Sequence, residues 1–399
     1  MKNFLLLMAM LIPSALVHAG SREIAYKLHN RLTSVPPKPA VLDQMAALIE
    51  SGDAQGAAEL AMENPNFYNL TLKNWIKPWS NQDQSVRVQM NDYVATILGV
   101  IRDDLPFNSI LHDDIIYTVN LSSLAANSRA YAMNNNDHYS GAESQNSDFK
   151  ATLVRAKQSD VTVAAAAVFN AAQMAAMNND RQTGLPAEAT AGVTTTRNGA
   201  ANYFSAGTNR RPNRFIFINY LCKDYEDVHD ITIPDFRVGR DVERNPGGDS
   251  RTFKNRCVGC HAGQDALRGA YAFYDFNNDA ILYTPTQVRG KMNQNNYYPQ
   301  GFVTTNDSWI NTWATGQNAS LGWRGETSGN GAKSVGMMFS KTRAFSECMA
   351  KKVFKLVCIK DAKSPEDLAS VELNANSFEA NNEYSMKKLI AKTSAGCAK

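Results

Sequence analysis

The chain has 399 residues, 44% of them hydrophobic and 20% charged, and a formal net charge of +3. That near balance excludes the basic footprint of a nucleic-acid binder and the polybasic run of a protein held on a membrane surface. A chain of this length holds two ordinary domains or one large one.

Residues 1–19 have the make-up of a secretory leader. Lys2 is the basic start, Phe4 to Val17 is apolar apart from Pro13 and Ser14, and Val17-His18-Ala19 is the small-x-small pattern that precedes cleavage. Gly20 is the expected mature start, and because it is not cysteine no lipoprotein anchor is expected. No later stretch reaches the roughly 18 consecutive apolar residues of a membrane span. The expectation is export to the periplasm or cell surface, with no transmembrane segment.

Region 20–133 reads as helical. Pro36 and Pro37 end a first stretch, and Val41, Leu42, Met45 and Ile49 then recur at helical intervals as far as Gly52. Asp53 is the expected cap of a next helix that must stop before Pro65. Further helical patterns cover Asp92 to Ile101 and about Ile110 to Asn120. Residues 134–149 are polar and rich in Asn and Ser, which predicts a linker and an internal boundary.

Region 150–335 begins with an alanine-rich helix (Val163 to Met177) and an irregular stretch up to Asn209. Arg214 to Leu221 reads equally as strand or buried helix. Asn245 to Ser250 combines a turn with a helix cap, so a short helix is expected to lead into Cys257-Val-Gly-Cys-His261. Asp275 to Asp279 resembles the opening of a calcium loop, but Ala280 replaces the required glycine and Thr286 the closing glutamate. Residues 280–335 show little periodicity. Region 336–399 returns to helices, one of them opened by Ser364 as cap, Pro365 at the first position and acids in the first turn. The predicted fold is mainly α, with long irregular connections.

Six cysteines are present. With Cys257 and Cys260 in the motif, Cys222, Cys348, Cys358 and Cys397 remain, an even number that suits two disulfides in an oxidising compartment. Phe345, Cys348, Met349, Val353, Leu356 and Val357 form a helical stripe. On a continuous helix Cys348 and Cys358 lie about 15 Å apart, beyond the roughly 7 Å that a disulfide tolerates. Each therefore has its partner in Cys222 or Cys397.

Cys-x-x-Cys-His is the attachment signature of c-type haem. Two thiols a helical turn apart add to the haem vinyl groups, and the adjoining imidazole becomes the proximal iron ligand. A redox-active thiol pair needs a strand–helix context that this segment lacks. A zinc site needs a second pair of ligands at matching spacing. One motif implies one covalent haem c, held by Cys257, Cys260 and His261. The expected distal ligand is Met338 or Met337, with Met292 next, and His229 or His112 as the histidine alternatives. Tyr271, Phe273, Tyr274 and Phe276 are candidates for the haem edge, and Arg251, Lys254, Arg256 and Arg268 for its propionates.

Three segments resemble the largely uncharacterised c-type haem proteins common in planctomycetes and some proteobacteria. They are Asp104 to Asn120, Arg240 through the motif to Leu267, and Phe345 to Cys358 with the helix that ends near Cys397. Ala266 departs from the proline that many members carry there. The resemblance implies haem binding but no substrate, and the expected fold has a helical, cytochrome c-like haem region packed with N- and C-terminal helices. The resulting expectation is an exported monohaem carrier of single electrons that serves a redox partner protein. The alternatives are a haem-dependent peroxidase or oxygenase with an open distal site, and an envelope binding or structural protein stabilised by haem.

Overall fold

The computed structural model describes residues 20–167, 184–380 and 383–398. The expected leader, and the alanine-rich helix beyond the described span Gln158–Ala166, lie outside those residues.

The three opening helices form where the sequence signals place them: Ser21–Thr33, Pro39–Glu50 and Ala54–Met62. Asp53 caps the third by accepting from Gly56 N at 2.8 Å. The first and third pack on one another and the third packs on the last helix, Met386–Cys397, so the two ends of the described residues meet. Arg31 fastens that junction by donating to the Cys397 carbonyl at 3.0 Å.

Helix Asp92–Arg102 runs through the centre, and every residue from Asp92 to Ile101 is buried. A helix apolar on all sides belongs in a core, and truncating Ile97 or Leu98 to alanine there would cost about 2–5 kcal/mol. The helix expected over Ile110 to Asn120 does not form. Phe107–Leu111 is a 3-10 turn, and Ile116–Val119 is a strand paired antiparallel with Leu153–Ala156. Ile115-Ile116-Tyr117-Thr118-Val119 is β-branched and aromatic, and these side chains suit a pleated surface more than a helix.

A helix forms within residues 134–149, where the sequence predicts a polar linker. Asp137–Ser144 is a helix with His138, Tyr139 and Ala142 buried. Its polar groups bind the preceding region: Glu143 takes Lys77 Nζ at 2.8 Å and Met90 N at 2.7 Å, and His138 Nε2 accepts from Val119 N at 2.8 Å. One hydrophobic core continues from Ala25 to Ala391.

Arg214 to Leu221 is the buried helix: Arg211–Ile216 continues as a π turn over Phe217–Leu221. The calcium-like stretch is a β-hairpin, Tyr274–Asn277 against Ala280–Tyr283, with Asn278 and Asp279 at φ 48° and 60° in its turn. A third small ladder pairs Ser308–Ile310 with Ser328–Asn330. Among the described residues the fold is thus mainly α, with three two-stranded antiparallel ladders and no closed barrel.

Helices Gly331–Ser340, Arg343–Cys358, Pro365–Ala380 and Met386–Cys397 complete the chain. Ser364 Oγ accepts from Asp367 N at 3.1 Å, the expected cap. Helix Arg343–Cys358 is continuous and its two cysteines pair elsewhere, Cys348 with Cys222 and Cys358 with Cys397, at Cα separations of 5.2 and 5.4 Å. Among the described residues no helix is long and apolar enough to cross a membrane.

Candidate functional site

Gly247 and Gly248, at φ 64° and 80°, turn the chain ahead of the motif, and Asp249 caps the helix they lead into by accepting from Arg251 N at 2.9 Å. The helix runs from Ser250 to Arg268 and contains a π turn over Phe253–Cys257, directly before the second motif residue. Its inner part has two faces. At spacings of three and four, Cys257, Cys260, His261 and Gln264 share one side, and Gly259, Ala262, Gly263 and Ala266 share the other.

The small-residue side is packed without slack. A Cβ on Gly259 would fall 2.4 Å from the His229 ring, and one on Gly263 would fall 2.0 Å from the Trp313 ring. Asp230 N donates to the Gly259 carbonyl at 3.0 Å and Thr312 Oγ1 to the Ala262 carbonyl at 3.0 Å. The helix is pinned from behind. Cys257, Cys260 and His261 remain partly exposed on the front, while the residues from Ala262 to Arg268 are buried.

Cys257 and Cys260 are free thiols. The Cys260 thiol lies 3.4 Å from the Tyr225 carbonyl, and burial, with the nearby Glu226 and Asp224 carboxylates, pushes it up to about 11. Reactive thiol pairs instead use a helix N-terminus and cationic neighbours to lower the thiol. Here the pair lies within a helix that began at Ser250, which disfavours a thiol–disulfide role.

His261 Nδ1 lies 3.2 Å from Asp265 Oδ1, one turn along the same helix. Asp265 is fully buried. Arg210 binds it through Nε and Nη2, the second at 2.7 Å, and Gly239 N donates to its Oδ2 at 2.8 Å. Arg210 also grips Asp241, which Arg268 approaches at 3.4 Å. Burial alone would raise the Asp265 carboxyl, but the Arg210 guanidinium and the His261 imidazole outweigh it and hold the group well below the usual carboxylate range. An anionic carboxylate only accepts hydrogen bonds. Nδ1 of His261 is therefore the donor in this contact.

The other expected residues are dispersed. Met338 is buried, and its Sδ accepts from Asn311 Nδ2 at 3.4 Å, whereas Met337 on the same helix is 37% exposed. Met292 is buried against Ala272 and Phe273. His229 lies behind the helix on Gly259, and His112 pairs with Asp113. Among the described residues no hydrogen bond joins any of these side chains to Cys257, Cys260 or His261. Tyr271 and Tyr274 are core residues packed on Phe204, and Tyr274 donates to the Ala189 carbonyl at 2.6 Å. Arg251 is exposed and paired with Asp249, and Arg268 is buried in the Asp241 cluster.

Sequence reasoning names Arg268, as a propionate candidate, but does not reach its cluster with Arg210, Asp241 and Asp265. The spacing of four between His261 and Asp265 on a helix is a usable signal, but nothing local points to Arg210 or Asp241. Two of the larger grooves lie elsewhere: one of about 560 Å³ beside Arg214, Cys222 and Lys352, and one of about 720 Å³ over Leu373 and Ser377. Neither is lined by a motif residue. Among the described residues no group of three or more His, Cys, Asp or Glu side chains is placed to hold a bare metal ion.

The donor set fits haem c in its chemistry. Two free thiols and an imidazole share the partly exposed side of a helix whose following turns, Ala262 to Arg268, are buried. Comparison of the chain with protein-family models, with curated proteins and with solved structures gave no match.

Proposed function

We propose that this is an exported carrier of single electrons, in the periplasm or at the cell surface, with one haem c bound through Cys257, Cys260 and His261 in a cytochrome c-like helical region. The observation that carries the reading is the shared, half-exposed face of these three side chains together with the Asp265 carboxylate that lies on His261 Nδ1. Bound haem supplies one-electron iron chemistry, tuned by its axial ligands.

Cys257 and Cys260 would hold haem as thioethers, each S–H adding across one vinyl group so that no oxidant is consumed, and His261 would hold its iron. Both sulfurs must be reduced at that stage. His261 is partly exposed on the front of the helix, while Gly259 and Gly263 let His229 and Trp313 hold the back. A site on an open face suits brief encounters with a redox partner protein more than the enclosed pocket usual for a small substrate.

Of the two expected distal ligands, Met337 is 37% exposed and the Met338 sulfur is engaged with Asn311 in the core. A second reading is favoured by the same dispersion of candidate ligands: an open distal site with peroxidase or oxygenase activity. The test is expression of the leader-bearing chain with c-type maturation machinery, denaturing haem extraction, and absorption spectra of both oxidation states. Retained haem with sharp low-spin bands supports the carrier. Retained haem with high-spin bands supports the second reading. Loss of haem from the wild-type chain on extraction overturns both, as does full covalent haem content in Cys257→Ala or Cys260→Ala.

A further inference from the structure

We propose that Asp265 is a positioning residue that gives His261 partial imidazolate character and so lowers the reduction potential of the site. The inference rests on the haem reading above.

Three observations support it. The carboxylate lies 3.2 Å from Nδ1, on the side of the ring away from Nε2. It is fully buried, so water does not screen its field on the imidazole. Arg210 and Gly239 N supply three further hydrogen bonds to it. A carboxylate partner on a metal-bound histidine fixes the ring orientation and raises ligand basicity. A more basic ligand stabilises the ferric over the ferrous state.

The surrounding charges grade the effect. Asp265 and Asp241 are balanced by Arg210 and Arg268, so the cluster is neutral as a whole. Arg210 draws carboxylate density away from His261, which weakens the push relative to an unshared carboxylate. The site therefore lies below an equivalent one whose histidine donates to a neutral carbonyl, and it suits the donor end of an electron chain.

The experiment compares wild-type holoprotein with Asp265→Asn by spectroelectrochemical titration, and by resonance Raman of a ferrous form with its sixth position open. The substituted amide keeps a carbonyl acceptor for Nδ1 and removes the charge. The expected result is a higher midpoint potential and a lower iron–histidine stretching frequency in the variant. Equal potentials and equal frequencies would overturn the proposal. Should Asp265→Asn not fold, nitrogen-15 NMR of the wild-type chain prepared without haem reads the His261 tautomer. Protonated Nδ1 supports the proposal and protonated Nε2 overturns it. A wild-type chain that takes up no haem refutes the haem reading, and the NMR result still reports on the Asp265–His261 pair.

Discussion

The ring of Trp313 occupies the space where a side chain on Gly263 would sit, and a methyl group there would come within 2.0 Å of it. Trp313 is fully buried and holds the back of the motif helix against Phe217 and Tyr225. Gly263→Val should destabilise the protein by about 3 kcal/mol, because a packed core accepts added volume only by strain. Gly290→Ala, with nothing within 4 Å of the new carbon, should stay within about 0.5 kcal/mol of wild type. Urea unfolding of both variants makes the comparison, and equal midpoints would contradict the packing argument.

Removing Arg210 leaves Asp265 and Asp241 buried without their main cation. Arg210→Met should cost about 3–5 kcal/mol, the range for breaking a buried ion pair from one side. Thermal unfolding near neutral pH, where both carboxylates are charged, reads the loss. A melting temperature equal to wild type would mean that the cluster adds nothing to stability.

Non-reducing peptide mapping should recover Cys222 joined to Cys348 and Cys358 joined to Cys397. Replacing Cys358 and Cys397 by serine should cost about 2–4 kcal/mol. The Cys222–Cys348 bridge spans 126 residues against 39, so on the chain-entropy account its loss should cost about 1 kcal/mol more. A Cys348–Cys358 peptide would be incompatible with the continuous helix.

Lys352 is half-buried with its ammonium 4.7 Å from the Trp79 ring. Burial, with the neighbouring Lys355 charge, lowers it to about 8. In the unfolded chain it titrates at about 10.4. Between those two values the unfolded chain binds the extra proton, so stability should rise with pH across that window. Below about 8 both states are charged and the burial cost is present in full. The rise should be at most about 3 kcal/mol, less whatever the Trp79 ring returns to the charged form. Lys352→Met should flatten it; an unchanged pH profile would show that another group is responsible.

The parts legible in the sequence are those set by neighbours in the chain. Pro36, Asp53, Pro65 and Ser364-Pro365 delimit helices through local backbone geometry, so the opening and closing helices form as predicted. The disulfide argument succeeds because rise per residue is a fixed length. Ile116–Val119 escapes a local reading because its partner, Leu153–Ala156, lies some distance along the chain, and one short apolar run does not reveal pairing. Residues 134–149 escape it because Asn, Ser and Glu look the same whether they face water or, as Glu143 does, grip buried backbone and lysine. At the site, the motif names its own three residues, and only the fold brings Arg210 and Asp241 to Asp265.

The Cys222–Cys348 bridge closes a loop that contains the whole motif helix and the irregular stretch after the hairpin. A protease that nicked that stretch once would release nothing. Both pieces would travel as one species on a non-reducing gel and separate only when thiol was added, so an apparently intact band is no proof of an intact backbone.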